Sequence, residues 1–293
     1  MRLWPWPEDK PQLMAVFERR KYEPRKEAKP RSRGVPRGLW TKCPSCGEVV
    51  YNQVLKKNHQ ICPKCEHHFP YGARERLIMV CDGGKFHEHD AKMEAVDVLQ
   101  FKGVASYASK LKANRKKTGM PDALISGVGK IGGREVSLGA MEFAFLGGSM
   151  GVVVGEKVTR TIERGLEKKM PVIIFSASGG ARMYEGMFSL MQVAKTSGAL
   201  AKLAAAGLPF ISVLTNPTMA GVMASFASLG DIIVAEPKAM IGFAGARVIR
   251  ETTQQELPKE FQTSEFLHER GLIDMIVSRS EMKGALARLL HYL

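Results

Sequence analysis

The chain has 293 residues, of which 45% are apolar, and it carries a formal net charge of +14. This length accommodates a small module beside one large domain, and the apolar fraction is sufficient for a sizeable core. No apolar stretch approaches the roughly 18 residues that a membrane-spanning helix needs, so we expect a soluble, cytoplasmic protein without a membrane span.

The N-terminal part is basic and rich in proline. Residues 1–42 hold 12 Lys and Arg against 5 Asp and Glu, a net +7 and half of the total charge. Few of these residues could form a core, so we predict a basic flexible arm over residues 1–37. Such an arm suits three roles: contact with nucleic acid, docking of an acidic partner, or a solvated tail without a partner.

Two cysteine pairs, Cys43–Cys46 and Cys62–Cys65, follow with 15 residues between them. Each C-x-x-C turn aims two thiolates at one point, and four thiolates complete tetrahedral zinc without leaving a position for water. Gly47 follows the first pair, where the turn favours a positive φ. The spacing therefore predicts a structural zinc ribbon over residues 38–70. Two disulfides or a redox dithiol are the alternatives, but disulfides need an oxidising compartment and the first residues contain no apolar signal core.

Other polar groups near the ribbon have no evident role. His59, His67 and His68 lie beside a site that four cysteines already fill, so we interpret them as surface residues. Cys81 stands alone, and we expect an ordinary buried or half-buried thiol.

The pattern after the ribbon predicts helices and strands in alternation. In chain order these are a helix over 73–80, an amphipathic helix over 104–118, a hairpin of strands 123–129 and 134–141, a helix from the glycine-rich turn 147–151 to about 168, and strand 231–235 after the two units described next.

Two strand–turn–helix units stand in the middle of this region. Strand 172–175 leads through turn 176–180 into a helix ending near 206, and strand 210–214 leads through turn 215–221 into another helix. The prolines before the two strands are 38 residues apart. Continuous apolar strands indicate a parallel sheet covered by helices, and a repeat of this length indicates a superhelical arrangement. We expect one domain over residues 71–293.

Both turns contain small residues between a strand and a helix: Gly179 and Gly180 in the first, Ala220 and Gly221 in the second. Backbone N–H groups at such positions are unpaired and lie at the positive end of the helix dipole. Two of them aimed at one oxygen would form an oxyanion hole, which stabilises the enolate of a thioester. Tight turning and close helix–sheet packing remain the structural alternative.

Side-chain catalysts are not evident. The sequence has no Gly-x-Ser-x-Gly elbow, and residues 151–157 match a P-loop only loosely because Glu156 breaks the Gly-Lys step. Glu142, Glu185 and Asp231 are singly placed, and Glu142, between apolar neighbours, suits a structural hydrogen bond. A chemistry that uses backbone donors fits these absences.

Together these features resemble the β subunits of the bacterial multi-subunit acetyl-CoA carboxylase, its carboxyltransferase half. The resemblance covers residues 38–293 and rests on the ribbon and on FLGGSMG (145–151), FSASGGARM (175–183), NPTMAGV (216–222) and AEPKAMIGFAG (235–245). Many members have Gly-Gly where this chain has Ala220-Gly221, so Gly221 is the stronger donor candidate.

The resemblance implies an α/β fold of crotonase-like (ClpP/crotonase) type, a ββα superhelix with an N-terminal four-cysteine zinc ribbon. It implies a heterotetramer of two α and two β subunits that works with a biotin carboxylase and a biotin carboxyl carrier protein. The reaction would move a carboxyl group from carboxybiotin on the carrier to acetyl-CoA, giving malonyl-CoA, the first committed step of fatty acid synthesis. Consistent with this division, the chain contains neither an Ala-Met-Lys-Met biotin-attachment motif nor an ATP-binding loop.

The resemblance also implies roles for site residues. The β subunit would hold the acyl-CoA, with the thioester oxygen at the turns Gly179–Gly180 and Ala220–Gly221. Arg182, just after the first turn, would either contact a CoA phosphate or pair structurally.

Two other functions stay open at this point. A biotin-dependent decarboxylase subunit uses a similar core, although such chains generally lack the ribbon. A nucleic-acid-binding protein could use the ribbon and the basic arm, but the ribbon offers few stacking aromatics beyond Tyr51 and Phe69.

Overall fold

The computed structural model of the protein describes residues 38–254, 256–258 and 260–293. The basic arm predicted over residues 1–37 lies outside the described residues. Within the described ranges, none of the helices combines the length and the apolar composition that crossing a membrane requires.

The ribbon opens with a short antiparallel hairpin. Strand β1 (Trp40–Lys42) pairs with β2 (Val49–Tyr51), and helix α1 (Asn52–Lys57) follows directly. The buried side chains of this module form a small core of their own: Cys43, Val50, Leu55, Cys62 and Phe69. The ribbon nevertheless belongs to the same compact unit as the sheet, Trp40–Leu293.

The rest of the chain alternates helices and strands, as the sequence predicts. The elements are α2 (Ala73–Val80), β3 (Phe86–His89), α3 (Tyr107–Thr118), β4 (Leu124–Ile131), β5 (Arg134–Met141), α4 (Val152–Lys168), β6 (Val172–Ser178), α5 (Met187–Ala205), β7 (Phe210–Met219), α6 (Ala220–Met223), β8 (Ile232–Ala235), β9 (Ile241–Gly242), α7 (Ala246–Thr253), α8 (Ser264–His268), β10 (Met275–Ile276) and α9 (Met282–Tyr292).

Strands β3 to β10 form one mixed sheet. Its order is β10-β8-β7-β6-β5-β4-β3, and β9 pairs with the far end of β7. The β3–β4 and β4–β5 pairs are antiparallel, whereas β5 to β8 and β10 run parallel. The predicted hairpin and the predicted parallel units are both confirmed.

The two strand–turn–helix units lie side by side. Val172 of β6 is in register with Phe210 of β7, which reproduces the 38-residue offset between the units. Both strands therefore end at the same edge of the sheet, and their turns are neighbours. This placement is the structural basis of the candidate site.

Alternating side chains of β6 face two different cores. Val172 and Ile174 pack on one face of the sheet, and Ile173 and Phe175 pack on the other. Helices α4 and α5 cover the first face, and α2 and α9 cover the second. A strand buried on both faces shows no polar alternation, which explains the continuous apolar run in the sequence.

The boundaries differ from prediction at the two turns. Helix α5 begins only at Met187, eight residues after Gly179, because residues Met183–Glu185 form a separate 3₁₀ turn. Strand β7 continues to Met219, and α6 begins at the next residue, Ala220. Gly179 and Gly180 therefore do not lie at a helix N-terminus, and the helix-dipole argument made for the first turn is wrong.

Candidate functional site

The four cysteines of the ribbon converge on one point. The Gly47 N–H donates to the Cys43 carbonyl at 2.9 Å, and the Glu66 N–H donates to the Cys62 carbonyl at 3.0 Å. Gly47 and Glu66 have φ values of 74° and 59°, so each knuckle uses one left-handed residue.

These turns bring the four sulfur atoms within 4.8 Å of one another. The Sγ atoms of Cys43 and Cys65 are 3.6 Å apart, and those of Cys46 and Cys62 are 3.9 Å apart. Tetrahedral coordination with Zn–S bonds of about 2.3 Å places sulfur atoms about 3.8 Å apart. All four are free thiols. The donor set fits a closed structural zinc site, as predicted, and these four residues would hold the ion.

Two further predictions about the ribbon region have different outcomes. Cys81 is buried, as expected for an ordinary thiol, and burial raises the pKa of its thiol to about 11. The prediction that His68 is a surface residue is wrong, because the residue is only 8% exposed. Its Nδ1 lies 3.8 Å from Oε2 of Glu236, a residue far away in the chain.

The first turn uses most of its backbone donors internally. The Gly179 N–H donates to the Gly147 carbonyl at 2.9 Å, and the Gly180 N–H donates to Ser178 Oγ at 3.0 Å. Neither group is available to a ligand in this conformation. Among the described residues, no acceptor lies opposite the N–H of Ala181, the next residue along the turn.

The second turn is divided in the same way. The Ala220 N–H donates to the Phe243 carbonyl at 3.1 Å, whereas the Gly221 N–H has no acceptor in the described part of the chain. Ala220 also has a φ of 50°, the left-handed region that favours glycine. The sequence-based preference for Gly221 over Ala220 therefore agrees with the hydrogen bonding.

The two turns are in contact with each other. A Cβ built on Gly221 would lie 3.5 Å from the Ala181 nitrogen and 3.3 Å from the Ala181 Cβ. A Cβ built on Gly180 would lie 2.5 Å from the Ala220 Cβ, so this close approach requires glycine at position 180. Ala181 and Gly221, whose N–H groups have no acceptor among the described residues, are thus neighbours across the two turns. Two such donors directed at one oxygen atom would form an oxyanion hole.

Arg182 occupies the interior behind the first turn. Its side chain is fully buried and forms a two-pronged ion pair with Asp122, at 2.6 and 2.9 Å. Tyr107, Ser149 and Glu185 accept its remaining N–H bonds. No N–H group of Arg182 is left for a CoA phosphate. Of its two predicted roles, Arg182 therefore has the structural one.

Glu142 and Glu185 are also structural. Glu142 accepts hydrogen bonds from the Ala73 N–H at the start of α2 and from the Ala144 N–H, at 2.9 and 3.0 Å, as expected. Glu185 accepts from the Tyr107 hydroxyl and from the Val152 N–H at the start of α4, both at 2.5 Å.

A buried charge cluster connects the ribbon to the sheet and its covering helices, residues 73–292, which we call the sheet domain. Sequence reasoning missed this cluster. Glu236, at the end of β8, forms ion pairs with Arg279 at 2.8 Å and with Arg76 at 2.5 Å, and all three residues are nearly inaccessible to solvent. Arg279 also donates to the ribbon carbonyls of His59 and Phe69, at 2.8 and 3.1 Å. No sequence signal could have paired charges 160 and 43 residues apart.

Removal of zinc should therefore affect more than the ribbon. In a Cys62→Ser variant we expect loss of the bound zinc and a disordered ribbon, because three thiolates leave the ion incompletely coordinated. The sheet domain should stay folded but lose about 1–3 kcal/mol of unfolding free energy, since Arg279 loses its carbonyl acceptors. Zinc analysis and denaturant unfolding measure the two effects. A Cys81→Ala control should retain zinc, and loss of all cooperative unfolding in Cys62→Ser would contradict this expectation.

A cavity of about 460 Å³ lies between the ribbon and the ends of the central strands. His68 and Tyr71 line it on the ribbon side, and Ala177, Asn216 and Pro217 line it on the strand side. Ala177 is two residues before Gly179, and Pro217 is three residues before Ala220. We call this space the inner cavity.

Two segments of the chain match the models of known protein families. Residues 73–291 match the carboxyl transferase domain, and residues 40–65 match the acetyl-CoA carboxylase zinc finger domain. The first match covers most of the chain and corresponds to the sheet domain, and the second corresponds to the ribbon.

Full-length relatives support the same assignment. The chain is 58% identical over 259 residues to an acetyl-coenzyme A carboxylase carboxyl transferase subunit beta of Methylacidiphilum infernorum, covering 88% of this chain and 94% of the relative. It is 52% identical over 277 residues to the protein of the same name from Opitutus terrae, covering 94% of each.

Solved structures extend the similarity to the fold. A transcarboxylase 12S structure with methylmalonyl-coenzyme A bound superposes with a TM-score of 0.65 at 28% identity, covering 76% of this chain but only 42% of the transcarboxylase chain. A Pseudomonas malonate decarboxylase hetero-tetramer superposes with a TM-score of 0.63 at 21% identity, covering 75% of this chain and 82% of the other, which shows a shared fold alone. The predicted crotonase-like α/β fold with a zinc ribbon is confirmed.

Proposed function

Because the chain belongs to the family of acetyl-CoA carboxylase carboxyl transferase β subunits, we propose that it catalyses the transfer of a carboxyl group from carboxybiotin to acetyl-CoA, giving malonyl-CoA. It acts in a multi-subunit complex with an α subunit and a biotin carrier protein. The observation that carries the mechanism is that Ala181 and Gly221 are neighbours and that their backbone N–H groups have no acceptor among the residues that the structure describes.

These two N–H groups bind the thioester oxygen of acetyl-CoA. When the methyl group loses a proton, negative charge develops on that oxygen, and two fixed donors stabilise the enolate more than the neutral thioester. When carboxybiotin is bound, it supplies the CO2 and, once decarboxylated, the base that takes the proton. No side chain of this chain then has to act as a base, in agreement with the lack of a paired acid and base in the sequence.

The roles predicted for the four small residues are divided accordingly. Gly221 donates directly. Gly180 allows the two turns to approach, because any side chain there would collide with Ala220. Gly179 and Ala220 hold the turns in place through their bonds to Gly147 and Phe243. Zinc, held by the ribbon cysteines, supplies structure and no chemistry.

The α subunit is proposed to cover an apolar surface beside the first turn, in an assembly of two α and two β subunits. Met183 and Met187 are 84% and 66% exposed, and Phe188, Leu190 and Met191 extend the surface along the start of α5. Apolar surfaces of this kind mark interaction sites, and methionine adapts to a partner's shape. We call these five residues the methionine-rich face.

Disruption of this face should weaken assembly. We expect a Phe188→Glu variant to lower the affinity for the α subunit by about 10-fold or more, because a charge replaces a buried aromatic contact. Leu272→Glu, at an apolar site of similar exposure that is not part of the methionine-rich face, is the control and should assemble normally. Analytical ultracentrifugation of each variant mixed with the α subunit gives the two affinities. If Phe188→Glu binds the α subunit as tightly as Leu272→Glu does, the α subunit does not cover the methionine-rich face.

Co-expression with the α subunit and an assay with carboxybiotin tests the reaction itself. Formation of malonyl-CoA from acetyl-CoA is the expected result. Decarboxylation of malonyl thioesters without any carboxylation of acetyl-CoA would instead support a decarboxylase.

Three further expectations remain predictions. These are cooperation with a biotin carboxylase, a cytoplasmic location, and nucleic-acid binding through the ribbon and the basic arm.

A further inference from the structure

The glycine-rich segment before α4 runs alongside the first turn and binds it through the backbone. The Met150 N–H donates to the Gly180 carbonyl at 2.8 Å, and the Arg182 N–H donates to the Met150 carbonyl at 2.9 Å. The Gly180 carbonyl and the Ala181 N–H belong to one trans peptide and point in opposite directions. Because the carbonyl is bound to Met150, the Ala181 N–H faces away from the segment.

One buried side chain completes the link between this segment and the first turn. Ser178, at the end of β6, is fully inaccessible to solvent. Its hydroxyl donates to the Gly148 carbonyl at 2.7 Å and accepts the Gly180 N–H at 3.0 Å. The hydroxyl therefore ties the turn to the segment and also removes the Gly180 N–H as a competing donor.

The turn needs such a link because two glycines stand in series within it. Gly179 and Gly180 flank the peptide whose N–H binds Ser178, and glycine restricts the backbone dihedrals least. Gly180 has a φ of 122°, in the region that favours glycine. Without the Ser178 hydroxyl this peptide could rotate, and rotation about Gly180 would move the next peptide, which carries the Ala181 N–H.

We propose that Ser178 is a positioning residue for carboxyl transfer: its hydroxyl fixes the first turn so that the Ala181 N–H, and not the Gly180 N–H, faces the thioester oxygen. The proposal rests on the proposed function, which places that oxygen at Ala181 and Gly221. Ser178 acts through the backbone, since both of its short hydrogen bonds join backbone groups. Its effect should appear in kcat, because the oxygen gains its charge in the transition state.

Removal of single buried hydroxyls tests this role. In the complex of the full chain with the α subunit, Ser178→Ala should lower kcat by about 10-fold and change KM for acetyl-CoA by less than about 2-fold. Ser176→Ala is the matched control, because Ser176 is equally buried on the same strand and its Oγ has no hydrogen-bond partner in the described part of the chain. Its kcat should stay at the wild-type value.

A second control separates positioning from a general loss of stability. Ser137→Ala, on β5, removes a buried hydroxyl that donates to the Thr161 carbonyl at 2.7 Å, and it should also keep the wild-type kcat. A wild-type kcat in Ser178→Ala would overturn the proposal. So would an equal fall of kcat in Ser137→Ala, or a rise of KM in Ser178→Ala in place of the fall in kcat.

Hydrogen–deuterium exchange separates this proposal from the proposed function, since it requires no carboxyl transfer. The amides of Gly179, Gly180 and Arg182 have acceptors in the wild type and should exchange about 5–10-fold faster in Ser178→Ala. In Ser176→Ala they should exchange at the wild-type rate. If the wild-type complex forms no malonyl-CoA, the proposed function fails, and faster exchange still supports Ser178 as the residue that holds the turn. Equal exchange in wild type and Ser178→Ala would contradict that role, whether or not the complex is active.

Discussion

Replacement of Gly221 by valine should lower kcat for carboxyl transfer by about 10²–10³-fold. A side chain at this position begins 3.3 Å from the Ala181 Cβ and 3.5 Å from the Ala181 nitrogen, and so fills the space between the two donors. The thioester oxygen is then excluded from the position where both N–H groups can reach it. Steady-state kinetics of malonyl-CoA formation by the assembled complex measures the loss.

The control for this variant is the same substitution in open space. A Cβ on Gly198, in α5, meets no atom within 4 Å, so Gly198→Val should retain near wild-type kcat. Both variants should unfold cooperatively, which separates a blocked site from a misfolded domain. Full activity of Gly221→Val in the assembled complex would contradict the oxyanion assignment.

Replacement of Glu236 by glutamine should destabilise the protein by about 3–5 kcal/mol. Two buried guanidinium groups, those of Arg76 and Arg279, would lose their shared counter-charge. The same change at Glu269 should cost less than about 0.5 kcal/mol, because this carboxylate is 74% exposed and water screens its 3.7 Å pair with Arg270. Denaturant unfolding at neutral pH compares the two variants, and equal stabilities would show that the cluster does not hold the ribbon and sheet together.

The same cluster predicts a pH dependence. Burial alone would raise the pKa of Glu236, but Arg76 and Arg279 outweigh it and hold the pKa well below its ordinary value. A carboxyl group whose pKa is depressed on folding stabilises the native state above its unfolded pKa of about 4.3. That stability is lost as the pH falls from there through the folded pKa. Glu236→Gln should flatten the acid limb of the stability curve, whereas an unchanged slope would contradict the shift.

The zinc site and the sheet were predictable because their signals are local. Two C-x-x-C pairs separated by a short segment predict a metal site regardless of how the rest of the chain folds. The offset between Pro171 and Pro209 similarly sets β6 beside β7, because strands with continuous apolar residues pair in a parallel sheet. The zinc site follows from residues close together in the chain, and the pairing of β6 with β7 follows from a repeat in the sequence.

The identity of the backbone donors was less accessible. Sequence composition located the two turns but not which N–H groups have internal acceptors. Gly179 loses its donor to Gly147, an interaction that depends on a loop 32 residues earlier in the chain. Nothing in the sequence singles out Ala181, because alanine lacks the positive-φ freedom that marks glycine in a turn, yet its N–H has no acceptor within the described part of the chain.

Buried ion pairs were inaccessible for a similar reason. From the sequence, Arg182 has two possible roles, a contact with a CoA phosphate or a structural pairing, and no pattern around it decides between them. Its partner Asp122 is 60 residues away and has no motif around it. Long-range pairing of single charges leaves no periodicity in the sequence, so the fold alone reveals it.

In the proposed mechanism, the backbone N–H groups of Ala181 and Gly221 together hold the thioester oxygen. A crystal structure of the complex with the α subunit, bound to a non-hydrolysable acetyl-CoA analogue, tests this arrangement most directly. We expect the acyl oxygen at about 2.7–3.1 Å from the backbone nitrogens of both residues. An acyl oxygen bound at another part of the chain, with these two N–H groups still unoccupied, would contradict the account.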